Sequence, residues 1–277
     1  MSVLPPATLQ PGSLSRQRDL MVTSSGEEGI EIPDIAVLST SRLLVSDWVN
    51  CTLRLVDSVN GGVLSQVSLP GWPRGVYHLR DKEAAVTLNN VQKIQFVRIN
   101  SDKLSLDRSI DVKGRPLSVS AFDSSHLVVT YEYPGMVEMM TIDGRVIDIA
   151  DNQKAGKQLF SNPFSIAISN RREIYVSDRN TCTITQMDRT LRITRTFTSP
   201  MVTSPHGIVS VSTDQLLVAD EASHSILVLN PTSGTVTPLL GQADGIQQPW
   251  AVVWCPVSKK LFVGSWNRQT AVSVFSL

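Results

Sequence analysis

The chain has 277 residues, of which 42% are hydrophobic and 18% charged, and its 25 Lys+Arg balance its 25 Asp+Glu. That apolar content sustains a packed core and excludes wholesale disorder. Zero formal net charge excludes a chain that coats nucleic acid or an acidic membrane by overall charge, and no run approaches the roughly 20 apolar residues of a bilayer-spanning helix.

In chain order, the opening Met1-Ser2-Val3-Leu4-Pro5-Pro6 lacks the basic and apolar stretches of a secretory signal. A run from Leu14 to Val22 follows, and then six units, each opened by a proline. The first reads Pro33-Asp34-Ile35-Ala36-Val37, then Leu43-Leu44-Val45-Ser46-Asp47, then Leu53-Arg54-Leu55-Val56 closing on Asp57. The second opens at Pro73 and continues through Ala84-Ala85-Val86 to Asn100; the third opens at Pro116 and continues through Leu127-Val128-Val129 to Asp143. The fourth begins at Pro163 and carries Ile174-Tyr175-Val176-Ser177-Asp178, then Ile184 to Asp188. The fifth begins at Pro205, carries Leu216-Leu217-Val218-Ala219-Asp220 and closes on Asn230; the sixth begins at Pro249 and carries Leu261-Phe262-Val263. The prolines are 40, 43, 47, 42 and 44 residues apart, a period typical of repeat architectures.

Short Val-, Ile-, Leu- and Thr-rich runs bounded by Pro, Gly, Asn, Asp and Ser read as β-strands, and none sustains a helical stripe. Each unit supplies strands A, B and C in that order, followed by a more polar strand D such as Arg145 to Ile149 or Thr235 to Leu240. Four antiparallel strands repeated radially make a propeller blade. The predicted fold is all-β, a single six-bladed β-propeller over residues 1–277. Pro238 fits the outer D strand, because an edge tolerates a missing N–H. The sixth unit ends after its C run, so the segment 1–32 is expected to provide the missing D strand of that blade and the lead-in to the first.

The pattern Pro-x-x-Ile-Ala-Val, Ile-Tyr-Val-Ser-Asp and x-Asn-x-x-Ile resembles the NHL repeat. The match is clearest in Pro163 to Asp188, then in the first and fifth units. Leu88, Tyr131 and Ser265 depart from the pattern where the Asp should stand. The resemblance implies the C-terminal propeller of tripartite-motif ubiquitin ligases, a non-catalytic module for protein recognition or substrate recruitment. The RING and B-box modules of those ligases would have to come from another segment or chain. It also implies a face, made of the D–A and B–C loops, on which partners bind.

On that face the sequence places Trp48 with Asn50, Trp72 with Arg74, Arg115, Tyr131 with Tyr133, Phe164, Arg179, His206, His224, Trp250, and Trp266 with Arg268. Four of the five tryptophans are on this face, in the neighbouring blades 6, 1 and 2, and aromatic residues interleaved with Arg and Asn suit a protein hot spot. Single-stranded RNA is the alternative ligand, stacking on aromatic and Arg planes. Against it, Glu132, Glu221 and Asp34 oppose Arg74, Arg115 and Arg179, and most of the blade 4 arginines map to the rim. Blade 5 has no Lys or Arg between Pro205 and Gly241.

Asp47, Asp178 and Asp220 read as turn-fixing carboxylates, with no metal and no cofactor expected. A metal-dependent lyase or lactonase, the remaining alternative, would need more ligands than His206, His224 and Glu221 supply beside the distant His78 and His126. Cys51 and Cys182 occupy equivalent positions in opposite blades, well beyond the roughly 7 Å Cα limit of a disulfide. Cys255 lies toward the other face. Free thiols favour a reducing, cytoplasmic setting. The expected partner is a protein or peptide, not a membrane or DNA.

Overall fold

The computed structural model describes residues 8–23, 29–80, 82–151, 156, 158–266 and 270–277. The apolar runs form strands where β-branched residues pack on both faces of a pleated surface. Blade 1 comprises Ile35–Ser39, Arg42–Asp47, Thr52–Asp57 and Val63–Ser68; blade 2 comprises Pro73–Arg80, Glu83–Leu88, Lys93–Asn100 and Lys103–Asp111. Blade 3 comprises Pro116–Ala121, His126–Tyr131, Met136–Thr141 and Val146–Asp151; blade 4 comprises Pro163–Ile168, Ile174–Asp178, Thr183–Met187 and Ile193–Thr198. Blade 5 comprises Pro205–Ser212, Gln215–Asp220, Ser225–Leu229 and Val236–Leu240. In blade 6, Pro249–Cys255, Lys260–Ser265 and Ala271–Ser276 are joined by Ser15–Arg16 and Leu20–Met21, which both pair antiparallel with the last strand. The chain is a six-bladed, all-β propeller whose N-terminal strands complete its last blade.

The A strands surround a central channel of ≈ 270 Å³ walled by all six blades. The apolar core lies between neighbouring blades, as where Leu20, Val22, Ile30 and Ile32 pack with residues of blades 6 and 1. Polarity rises outward as the sequence predicts: Leu216 to Asp220 are buried, whereas Ile193 to Thr196 in the outer strand of blade 4 are exposed. Pro238 lies in the outermost strand of blade 5.

One device joins adjacent blades near the axis. The hydroxyls of Ser46, Thr87, Thr130 and Ser177 accept the N–H of Asp34, Gly75, Ser118 and Ser165 in their own blades. The same hydroxyls reach the next blade, donating to the carbonyls of Arg74, Leu117, Phe164 and His206 at 3.1, 2.8, 3.4 and 2.6 Å. The equivalent residues in blades 5 and 6 are Ala219 and Gly264, which have no hydroxyl. Backbones meet closely here: a Cβ on Gly207 would lie 2.6 Å from the Trp250 carbonyl oxygen, so only glycine fits.

All three cysteines are free. No helix among the described residues is long and apolar enough to cross a membrane.

Candidate functional site

Each blade places two side chains on the D–A and B–C face by the same local rule. The residue that follows the opening proline starts strand A beside the axis, giving Asp34, Arg74, Leu117, Phe164, His206 and Trp250. The residue that follows strand B starts the B–C loop, giving Trp48, Asn89, Glu132, Arg179, Glu221 and Trp266. In every blade its N–H bonds a carbonyl just ahead of the proline: Trp48 to Glu31, Asn89 to Trp72, Glu132 to Arg115, Arg179 to Asn162, Glu221 to Ser204 and Trp266 to Gln248. Two concentric rings of six side chains result.

The repeated carboxylates hold these loops in place. Asp178 accepts the N–H groups of Ser161 and Asn162 from the D–A loop and those of Asn180 and Thr181 from the B–C loop. Asp220 does the same with Thr203, Ser204 and Ser223. Asp47 accepts the N–H of Asn50 and its side-chain amide, and it pairs with Arg54 at 2.6 Å. Turn-fixing is thus their role, and for Asp178 and Asp220 it extends to both loops.

The aromatic residues converge. Trp72 contacts Trp48 (ring centroids 5.3 Å apart), Trp48 contacts Trp266 (5.2 Å), and Trp266 stacks on Trp250 at 4.0 Å. Trp250 continues to His206 at 4.6 Å and Phe164 at 5.2 Å. The Arg74 guanidinium lies among them, 5.2 Å from Trp48 and 5.5 Å from both Trp250 and Trp266, within cation–π range. Phe164, His206 and Trp250 are buried and form the floor; Trp48, Arg74 and Trp266 are half-buried. Trp72 is 44% exposed at the top.

Not every candidate read from the sequence reaches this cluster. Tyr131 is fully buried: it replaces the repeat's Asp, but its longer side chain turns along the sheet and donates to Glu138 at 2.5 Å. Burial, reinforced by that carboxylate, pushes its phenol above the usual range. Tyr133 and Arg115 are exposed, Arg179 is half-buried, and Asn50 serves Asp47. His224 accepts the Gln248 N–H through Nδ1, away from the aromatic floor occupied by His206. Arg268 lies outside the described residues. No group of three or more His, Cys, Asp or Glu with metal-holding geometry occurs among the described residues.

Residues 203–229 match the NHL repeat model. The propeller therefore carries an NHL repeat. The match falls on the fifth unit, from the D–A loop through strand C. No curated protein matches the chain. Among solved structures, virginiamycin B lyase from Staphylococcus aureus is 14% identical with a TM-score of 0.67, over 95% of this chain and 89% of that one. A catalytically inactive form of that lyase with quinupristin is 15% identical with a TM-score of 0.67, over 95% and 88%. A functionally unknown protein from Desulfotomaculum acetoxidans DSM 771 is 15% identical with a TM-score of 0.60, over 80% and 72%. At such identities the likeness is one of fold.

Two groups beside the axis of the propeller act oppositely on its pH response. Burial pushes the Asp34 carboxyl up to about 7, against the N–H groups of Val76 and Ile35 that it accepts at 2.9 Å each. Burial pushes His206 down to about 4, against the bond from its Nδ1 to the Ser204 carbonyl at 2.9 Å. A raised carboxyl pKa means the folded state holds that proton more tightly, so Asp34 removes stability as pH rises from about 4 to about 7. A depressed histidine pKa means the unfolded chain protonates first, so His206 removes stability as pH falls from about 6.5 to about 4. The two effects offset over one window. His206→Gln should unmask the first: its unfolding free energy in urea, measured at steps across that window, should fall with rising pH more steeply than the parent's. Parallel profiles would contradict the assignment.

Proposed function

We propose that the aromatic face of blades 6, 1 and 2 is a protein- or peptide-binding surface and that the propeller acts as a recognition module without catalysis of its own. The observation that carries this reading is the exposed Trp72 on a continuous aromatic stack that encloses a half-buried arginine. Interface hot spots combine Trp and Arg in this way, ringed by polar residues such as Arg179, Glu132 and Asn50. In the setting that the sequence resemblance implies, the module would recruit a substrate to a tripartite-motif-type ubiquitin ligase.

Paired tryptophan variants test the proposal. Trp72→Ala should leave the melting temperature near that of the parent, because 44% of the residue already faces solvent. It should weaken partner capture by about 2 kcal/mol or more, roughly thirtyfold. Trp250→Ala, at a position only 5% exposed, should instead cost the fold about 3–5 kcal/mol. Capture and thermal denaturation measured on both variants separate the two effects. Unchanged capture by Trp72→Ala would remove the aromatic face from consideration. Binding that collapses steeply with added salt would favour RNA phosphates over a Trp-centred protein contact.

A further inference from the structure

Resting on that reading of the face, we propose that Arg74 anchors a carboxylate of the bound peptide. Buried charges in folded proteins are normally paired, and Arg54 of this chain obeys the rule through Asp47 at 2.6 Å. Arg74 does not. Its Nε and Nη1 are shut off from solvent and have no hydrogen-bond partner among the described residues, and no ion pair there engages it. The indole N–H groups of Trp48 and Trp250, whose rings flank the guanidinium, are buried and unpartnered as well. His206 Nε2, a bare acceptor, lies beside these donors. A group that completes this set must therefore be rich in acceptors and negatively charged.

The surroundings favour a single planar carboxylate over a run of phosphates. Glu132 and Glu31 attract Arg74 electrostatically and Arg179 repels it, so a phosphate track would meet two carboxylates around one central cation. A guanidinium matches a carboxylate through two parallel N–H bonds, and much of its hydration is already lost in the aromatic cage. The carboxylate can come from an Asp or Glu side chain or from a chain terminus; the cage recognises their shared chemistry.

The test uses the full chain on synthetic peptide arrays in matched forms. One form carries Asp or Glu and its counterpart carries Asn or Gln; another ends in a free carboxylate and its counterpart in a carboxamide. Binding should concentrate on the acidic forms and drop about tenfold or more in the amide isosteres, and the pair that responds identifies the source. Arg74→Gln should abolish the preference with an equal or higher melting temperature, since a largely desolvated cation with no ion pair leaves the fold. Should that variant fold poorly, Arg74→Lys keeps the charge without the planar fork and should bind about tenfold more weakly. Equal binding of acid and amide forms, or preserved preference in the Arg74 variants, overturns the carboxylate anchor. If Trp72→Ala then removes that binding, the face itself stands. Absence of binding to every peptide form overturns both. Binding of a single-stranded RNA oligonucleotide that depends on Arg74, with none to acidic peptides, replaces the carboxylate by phosphate and likewise overturns the proposal.

Discussion

A chain lacking residues 1–24 is expected to lose cooperative folding. Leu9, Leu20 and Val22 are 1%, 5% and 0% exposed, and returning three such side chains to water costs on the order of 5 kcal/mol or more. That is comparable with the whole stability of a typical domain. The loss does not stop at burial. Ser15–Arg16 and Leu20–Met21 cover the edge of Ala271–Ser276, and without them an unpaired strand edge is left to pair with another molecule. Leu9 also exchanges two hydrogen bonds with the Gln215 side chain, tying the segment to blade 5. Calorimetry should show a broad or absent transition, and light scattering should show association. A peptide of residues 8–23 added in trans should restore part of the transition. A truncated chain that melts as sharply and as high as the parent would contradict the closure of blade 6 by these strands.

The second large effect is expected at Arg54. Its side chain is wholly buried, with Nη1 donating to the Val22 carbonyl at 3.0 Å and Nη2 to Asp47 at 2.6 Å. Arg54→Ala strands the Asp47 carboxylate in the interior and frees the N-terminal segment, so a loss of about 3–5 kcal/mol is expected. The pair itself is worth less than that. In the double variant Asp47→Asn, Arg54→Met, no charge is left buried and the volume is largely kept. Its denaturation midpoint should lie above that of Arg54→Ala, and the non-additivity against the single variants Asp47→Asn and Arg54→Met measures the coupling. If the double variant is the less stable of the two, the stranded charge is not the cause.

Arg54 also marks where sequence reasoning stops. In Leu53-Arg54-Leu55-Val56 it occupies the polar place of an alternating strand, which ordinarily faces solvent. The N-terminal segment supplies the cover, and that contact is too distant in the chain for any local pattern to announce. The prolines, the apolar runs and the Asp-ended strands were legible because each blade repeats one local solution. The function of the residue before that Asp was not. Ser46 and Ser177 look like part of a turn motif, whereas their hydroxyls stitch one blade to the next. The period located the face but not the depth of each side chain on it. Tyr131 sits at the same repeat position as Asp47 yet points into the sheet, because a phenol is too long for the turn and finds Glu138. The repeat places Phe164, His206 and Trp250 on the same face as Trp72, but the start of strand A buries them at the floor of the cluster. Arg74 shares that position, and no local signal distinguishes an arginine that closes an ion pair from one that waits among indoles.

The hydroxyl stitches have a mechanical consequence. Four seams of the ring carry one, while the seams on either side of blade 6, at Ala219 and Gly264, do not. Blades 1 to 5 are therefore expected to form the stiffer arc, with the compliance of the ring concentrated in blade 6. Amides of blade 6 should accordingly be the first of the inner strands to exchange with deuterated solvent under native conditions. Trp250 and Trp266 are carried by that compliant blade, whereas Arg74 and Trp72 are fixed to the stiff arc. A tilt of blade 6 is therefore expected to move Trp250 and Trp266 relative to Arg74 and Trp72, so that the aromatic cage widens or narrows around an incoming side chain while the rest of the ring stays still.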